Sequence, residues 1–233
     1  MTAAERDREH ERIRAVYAYY ESSSAEQRKR DASIRGNRLI AKGKWAAFRR
    51  AITRLDMPVG AAILDVGCGS GADLQRIAEH FIHLRPVLHG VDLVPDRIER
   101  ARSLLPQAEL QVAGGEQLEY EDGFFDLILV STVFSSILDV GLARSVAQEM
   151  TRVARDDALI LCYDMRYPNP WNRHVRAIRR TDLHELFPES RIRLTSLTLL
   201  PPLARLAGAA YRPLHAVSLL HSHYLAEIRP EPP

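Results

Sequence analysis

The stretch Ile63-Leu64-Asp65-Val66-Gly67-Cys68-Gly69-Ser70-Gly71 decides the fold of this chain, because a short apolar run passes directly into a glycine-rich turn. The apolar run predicts a buried strand, and the residues from Ala72 onward predict a helix. Glycine adopts left-handed backbone conformations without a steric penalty, so the three alternate glycines predict a tight turn with open N–H groups. This arrangement is typical of a nucleotide-binding loop.

The spacing of the glycines distinguishes between kinds of nucleotide. A dinucleotide fingerprint, G-x-G-x-x-G, needs its third glycine at the position of Ala72. The pattern here is D-x-G-x-G-x-G, which resembles motif I of the class I S-adenosylmethionine-dependent methyltransferases. The resemblance implies that the loop wraps the methionine end of S-adenosylmethionine and that the following residues bind it: Asp65, Gly67, Cys68, Gly69 and Gly71. The alternative is a plain connector between strand and helix.

A second apolar strand, 89–93, carries an acid about twenty residues after the glycines, as nucleotide-binding sheets of this type do. A carboxylate accepts two hydrogen bonds from a vicinal diol, so Asp92 is expected to hold the ribose hydroxyls. Leu93 is expected to pack on the adenine. Asp92 also suits the start of the helix at Pro95, and the two roles are compatible.

The segment 113–130 resembles the adenine loop and fourth strand of the same family. Relatives often place Asp where this chain has Gly114, to accept a hydrogen bond from the adenine amino group. Glu116 or Gln117 is the expected substitute, with recognition by backbone alone as the alternative. Ser131 follows the fourth strand and is expected to border the transferred methyl group, because ligands bind at the carboxyl ends of such strands.

Strands and helices alternate from residue 63 onward, which predicts a parallel sheet. The resemblance implies an α/β, Rossmann-like class I methyltransferase fold with a seven-stranded, mostly parallel sheet and helices on both faces. We expect an N-terminal helical lid over 1–58 and a methyltransferase domain over 59–233. A helical insertion at about 201–223 precedes the last strand. The insertion is a candidate substrate cap, homodimer face or membrane-surface patch, or it packs on the sheet.

The lid is expected to reach the cofactor with an aromatic or basic side chain. The candidates are Tyr17, Tyr20, Arg28 and Arg30. The alternative is that the tyrosines only pack between helices and the arginines form a solvated surface.

Composition is that of a soluble enzyme: 233 residues, 46% hydrophobic, 27% charged, with a net charge of +2. The near balance of charge disfavours a nucleic-acid partner, as does the lack of an Asn-Pro-Pro-Tyr sequence after the fourth strand. Cys68 and Cys162 are not expected to pair, which favours a cytoplasmic location. No run approaches the ~20 apolar residues of a membrane span, although peripheral membrane contact stays open. No metal site is expected.

The transferred methyl is electrophilic, so the protein mainly aligns an acceptor, and a base assists when that acceptor is a hydroxyl. Asp164, after the fifth strand, is the first candidate base and His174, in the next loop, is the second. The alternatives are that Asp164 caps a turn or orients Arg166, and that His174 is solvated. His221 and His223 of the insertion are further histidines near the predicted pocket.

The resemblance covers most of the chain and extends to bacterial methyltransferases associated with polysaccharide or natural-product biosynthesis. It implies O-methylation of a sugar or natural-product small molecule, with a small-molecule or glycan acceptor. The alternatives are N-methylation of an amino sugar or small amine, and a non-catalytic methyltransferase-fold binding subunit. A nicotinamide-dependent oxidoreductase is a further alternative, which the glycine spacing disfavours.

Overall fold

A computed structural model describes residues 2–31, 33–207 and 210–230 of the chain. Its centre is a seven-stranded sheet, whose strands are β1 (Ala62–Val66), β2 (Val87–Asp92), β3 (Glu109–Val112), β4 (Phe125–Ser131), β5 (Ala154–Met165), β6 (Ser190–Leu199) and β7 (His221–Pro230). Their spatial order is β3-β2-β1-β4-β5-β7-β6. β7 runs antiparallel to both neighbours, and the other pairings are parallel. The predicted fold class is confirmed.

Helices precede the sheet and connect its strands. They are α1 (Ala3–Ser22), α2 (Ser24–Arg30), α3 (Arg35–Thr53), α4 (Ala72–His80), α5 (Pro95–Leu104), α6 (Val140–Val153), α7 (Arg180–Leu186), α8 (Pro201–Leu206) and α9 (Tyr211–His215). Short 3-10 turns cover Ile82–Leu84 and Ser218–Leu220. No helix within the described ranges is long and apolar enough to cross a membrane.

Side-chain alternation along the central strands divides the core between the two faces of the sheet. Along β4, Leu127 and Leu129 join the cluster formed with α3, α4 and α5, whereas Ile128 and Val130 join the cluster formed with α6 and α7. Successive side chains of a strand point to opposite faces, so a strand buried on both faces reads as a continuous apolar run. The run at 127–130 has this form.

The N-terminal helices do not act as one unit. Phe48 and Ile52 of α3 are fully buried against the sheet, so α3 is a core helix. α1 instead lies over the carboxyl edge of the strands, where Arg12 donates to the Ser136 carbonyl and Arg14 donates to the Leu93 carbonyl. The predicted lid role is therefore open to α1, while α3 completes one layer of the fold.

The insertion starts where expected, but β7 begins at His221, so it ends at Leu220. Its first helix, α8, packs closely on α3: a Cβ on Gly36 would lie 2.5 Å from the Ala204 carbonyl oxygen. Leu206 and Leu219 are exposed, and the homodimer and membrane roles stay predictions. Residues 208–209 and 231–233, and the side chains of Arg30 and Arg212, lie outside the described part of the chain.

Candidate functional site

The glycine loop follows β1 as predicted. Gly67, Gly69 and Gly71 have φ values of +73°, +55° and +82°, in the left-handed region that favours glycine. The loop N–H groups are not open, which corrects the sequence expectation. Gly67 and Cys68 donate to the Val91 carbonyl at 2.8 and 3.0 Å. The glycines therefore serve the site mainly by leaving space where side chains would stand.

Two of the glycines meet different neighbours. A Cβ on Gly67 would clash with the side chain of Val133, so this glycine keeps the cleft open beside the loop after β4. A Cβ on Gly71 would lie 3.1 Å from the Leu105 side chain and 3.3 Å from Ala101. Gly71 lines neither of the two large cavities described below, and it instead allows the loop to pack against α5.

Asp92 is the last residue of β2, and its carboxylate connects the glycine loop to the turn before α5. One carboxylate oxygen accepts from the Gly69 N–H at 2.8 Å, and the other accepts from the Val94 N–H at 2.9 Å. A carboxylate has about four lone-pair positions, so two remain for a ligand diol. The turn-capping role of Asp92 is present in the structure, and its predicted role toward ribose is compatible with it.

Two adjoining cavities lie at the carboxyl edge of the sheet. The smaller has a volume of about 510 Å³ and is lined mainly by apolar residues, together with Asp92 and Glu116; Leu93 is among the apolar ones. The larger, of about 880 Å³, has many polar and charged residues in its lining, among them Tyr20 and Asp65, and also includes Cys68 and Gly69. The boundary residues that line both are Lys44, Gly67, Ala72, Arg97 and Ser131.

Glu116 occupies the place that Gly114 leaves empty. A Cβ on Gly114 would collide with the Glu116 carboxylate, so this carboxylate fills the space of the acid that relatives carry there. Its Oε1 lies 3.2 Å from Nε2 of His10 on α1. Gln117 instead lines a separate groove and does not contact the smaller cavity. Of the two predicted substitutes, the geometry favours Glu116.

A cluster of polar and charged side chains lies where the two cavities meet. Lys44 Nζ donates to Asp73 Oδ2 at 2.5 Å, and Ser131 Oγ donates to the same oxygen at 3.4 Å. Asp65 lies behind them, and its Oδ1 is buried without a hydrogen-bond partner among the described residues. Burial raises the pKa of Asp65 well above its ordinary value, and nearby Asp73 adds to the shift. An unpartnered buried carboxylate oxygen is suited to an ammonium ligand.

α1 covers the smaller cavity and is held there by several side chains. The Tyr17 hydroxyl lies 3.1 Å from Ser136 Oγ, and the Tyr20 hydroxyl accepts from Asn172 Nδ2 at 2.6 Å. At the C-terminal end of α1, Glu21 pairs with Arg97 at 2.7 Å and with Arg100 at 2.6 Å. These contacts hold α1 against the rest of the fold.

The two predicted bases lie away from the cavities. Asp164 is fully buried; its Oδ2 accepts from the Ser135 N–H at 3.1 Å and its Oδ1 from the Met165 N–H at 2.7 Å. Burial raises the pKa of Asp164 to about 6. His174 lines only a crevice of about 10 Å³ under α1. This placement gives Asp164 a structural contact with the loop after β4, and neither side chain lines the two large cavities.

Sequence reasoning assigned no site role to many residues of the larger cavity, among them Lys44, Tyr163 and Thr198. It named His223 without a role, and His223 lines the same cavity. Nothing in the local sequence marked Lys44 as a site residue, because a lysine on a helix usually faces solvent. In the described ranges there is no cluster of three or more side chains able to hold a metal ion.

Residues 63–157 match a family model described as a methyltransferase domain. The chain is 29% identical over 143 residues to the ubiquinone/menaquinone biosynthesis C-methyltransferase UbiE of Citrifermentans bemidjiense, covering 57% of each protein. It is 28% identical over 180 residues to the O-methyltransferase resE of Aspergillus sclerotiorum, covering 72% of this chain and 59% of that protein. The chain thus matches less than two thirds of the length of these relatives.

Among solved structures, the geranyl diphosphate C-methyltransferase of Streptomyces coelicolor, in complex with S-adenosyl-L-homocysteine, superposes with a TM-score of 0.62. Its sequence identity is 13%, and the match covers 81% of this chain and 79% of the other. The fold is therefore that of the class I S-adenosylmethionine-dependent methyltransferases. The residues that match the methyltransferase-domain model include the glycine loop and Asp92.

Proposed function

We propose that this chain binds S-adenosylmethionine and transfers its methyl group to a hydroxyl of a small sugar-containing or natural-product acceptor. The observation that carries the proposal is the pair of adjoining cavities that meet at Gly67, Lys44 and Ser131. The smaller cavity, with Asp92 and Glu116 in its lining, suits an adenosine, and the larger cavity, with many charged and hydrogen-bonding residues in its lining, suits the methionine end together with an acceptor.

The residues present fit this ligand. Asp92 offers carboxylate lone pairs to a ribose diol, and Glu116 offers an acceptor to the adenine amino group. The unpartnered Oδ1 of Asp65 offers an acceptor to the methionine ammonium. When bound, the sulfonium supplies an electrophilic methyl group, and the protein's contribution is to hold the acceptor in line with it. With cofactor bound, α1 over the smaller cavity would limit the access of water.

A hydroxylated acceptor is supported by the lining of the larger cavity. Uncharged hydrogen-bonding groups line it, among them Gln27, Asn37, Ser131, Tyr163 and Thr198. Sugars and polyhydroxylated natural products need many such partners. α8 contributes Pro201 and Arg205 to the same wall, which supports the role of the insertion as a substrate cap.

The buried, unpaired Cys68 and Cys162 are consistent with a reducing, cytoplasmic location.

Calorimetric titration with S-adenosylmethionine, S-adenosylhomocysteine and NAD tests the cofactor. Binding of the first two alone supports the proposal, binding of NAD contradicts it, and absence of binding to folded, cofactor-free protein favours a non-catalytic subunit. The acceptor is tested with methyl-labelled S-adenosylmethionine and panels of sugars, amino sugars and phenols. Label in an ether supports O-methylation, whereas label only on nitrogen points to the N-methyltransferase alternative.

A further inference from the structure

His223 of β7 lies in the wall of the larger cavity, and its ring is held rigidly. The imidazole stacks on the ring of Tyr163, with centroids 4.9 Å apart and planes inclined by 5°. The Tyr163 hydroxyl lies 2.7 Å from Thr198 Oγ1, so the supporting ring is itself fixed. The stack therefore fixes the plane of the His223 ring, and with it the plane in which the two ring nitrogens lie.

The hydrogen bonds of Ser222 define the tautomer of His223. Ser222 Oγ donates to the Thr198 carbonyl at 3.1 Å and lies 2.8 Å from His223 Nδ1. A hydroxyl has one proton, and a carbonyl only accepts. Ser222 Oγ therefore accepts from Nδ1–H, and the lone pair of the neutral imidazole lies on Nε2. Nε2 has no hydrogen bond to any residue that the structure describes.

The surroundings keep this imidazole uncharged. Burial, followed by the positive charge of Lys44 on α3, lowers the pKa of His223 to about 4. Tyr163 on β5 is also buried, which raises its pKa above the ordinary value and keeps the phenol neutral. From β6, Thr198 contributes no charge. An imidazole with a free Nε2 lone pair is thus present at neutral pH.

We propose, on the basis of the function proposed above, that His223 is the general base for the hydroxyl acceptor. As the acceptor oxygen bonds to the methyl carbon, the electron pair of the carbon–sulfur bond passes to sulfur and the hydroxyl proton passes to Nε2. The products are a methyl ether, S-adenosylhomocysteine and an imidazolium. The imidazolium then returns its proton to water. Lys44 favours this last step because it disfavours a second positive charge nearby.

Removal of the ring followed by chemical rescue tests the assignment. In His223→Ala, kcat toward a hydroxyl acceptor is expected to fall by about 100-fold or more, the range of general-base contributions. Added imidazole is expected to restore part of the rate, because the space above Tyr163 opens to the cavity. The matched control is His221→Ala on the same strand, which lines neither cavity and should be insensitive to imidazole.

The tautomer has its own test, which needs no acceptor. In protein labelled with ¹⁵N at histidine, the spectrum of His223, assigned by its loss in His223→Ala, should show a protonated Nδ1 at pH 7. A protonated Nε2 overturns the proposal. A rate close to wild type, or a loss that imidazole leaves unchanged, also overturns it.

Failure of the proposed function is distinguishable from failure of this inference. Wild-type protein that does not bind S-adenosylmethionine, or that methylates no hydroxyl, contradicts the function itself. Wild-type turnover that does not depend on His223 contradicts the inference alone. Calorimetry with S-adenosylmethionine shows that each variant retains its folded cofactor site.

Discussion

The Arg97 guanidinium lies 4.2 Å from the centroid of the Tyr17 ring, and so connects α5 to α1 across the mouth of the smaller cavity. The same arginine is paired with Glu21 at 2.7 Å. Cation–π contacts contribute about 0.5–2 kcal/mol depending on solvent exposure. α1 is therefore held to the rest of the fold through side chains that themselves line the two adjoining cavities.

Tyr17→Ala is expected to weaken S-adenosylmethionine binding about 30-fold, mostly through faster dissociation. The change removes the ring under Arg97 and the hydroxyl beside Ser136, each worth roughly 1 kcal/mol. Stopped-flow and calorimetric binding measure the effect. Tyr19→Ala is the control, because the Tyr19 side chain on the same helix is 58% exposed. Equal affinities of the two variants would contradict a lid role for Tyr17.

Asp92→Ala is expected to weaken cofactor binding by about 1–3 kcal/mol, the cost of losing charged-acceptor hydrogen bonds. It should also lower stability, because the carboxylate holds the Gly69 and Val94 N–H groups. Calorimetry and thermal unfolding separate the two effects. Asp96→Ala, at an exposed position in the next helix, should change neither. Unchanged affinity in folded Asp92→Ala would disprove the ribose role.

Gly67→Ala and Gly43→Ala are expected to have opposite effects. At Gly67 the backbone has a φ of +73° and an added Cβ meets Val133, so stability and cofactor binding should both fall. At Gly43, inside α3, an added Cβ meets nothing within 4 Å, and stability should rise by about 0.5–1 kcal/mol. Thermal unfolding compares them. A Gly67→Ala protein as stable as wild type would contradict this account.

The raised pKa of Asp164 predicts a pH dependence of stability. Between the ordinary value of 3.8 and the folded value of about 6, the folded state binds more protons than the unfolded state. The free energy of unfolding therefore falls as pH rises through this window. In Asp164→Asn that contribution disappears. The difference in the free energy of unfolding between variant and wild type should therefore change between pH 4 and pH 6.5. Denaturant unfolding measures it.

The same variant tests the first predicted base. Both Asp164 oxygens accept backbone N–H groups, so Asn would place a donor against a donor and lower stability. A structural role predicts that kcat of the folded protein stays close to wild type. The control is Ser145→Ala on α6, a half-buried position that lines neither adjoining cavity. A kcat lowered by orders of magnitude at unchanged cofactor affinity would instead support Asp164 as the base.

The placement of the glycine loop and Asp92 was predictable because its signal is local. Gly67, Gly69 and Asp92 sit at the ends of consecutive strands, where parallel topology brings them together. The sequence left Glu116, Gln117 and recognition by backbone alone as alternatives beside Gly114. The structure favours Glu116, because a Cβ on Gly114 would meet its carboxylate. The roles of these residues toward the cofactor stay predictions.

The lining of the larger cavity, where the acceptor is proposed to bind, was not predictable from the sequence. It depends on the face of the sheet to which each side chain points. Tyr163 and Asp164 are adjacent on β5 and point to opposite faces, and both are buried. A strand covered on both faces gives no sign of which residue meets the cavity. Lys44 enters the site only because α3 packs on the sheet, and His223 only because β7 inserts beside β5.

The ion pairs of Glu21 with Arg97 and Arg100 have an expected kinetic consequence. If α1 must detach before spent cofactor leaves the smaller cavity, each cycle of the proposed reaction includes the breaking and re-forming of these pairs. Dissolved ions screen such surface charges over about 8–10 Å at ordinary ionic strength. Where opening limits the cycle, moderate salt should accelerate turnover while weakening the retention of cofactor.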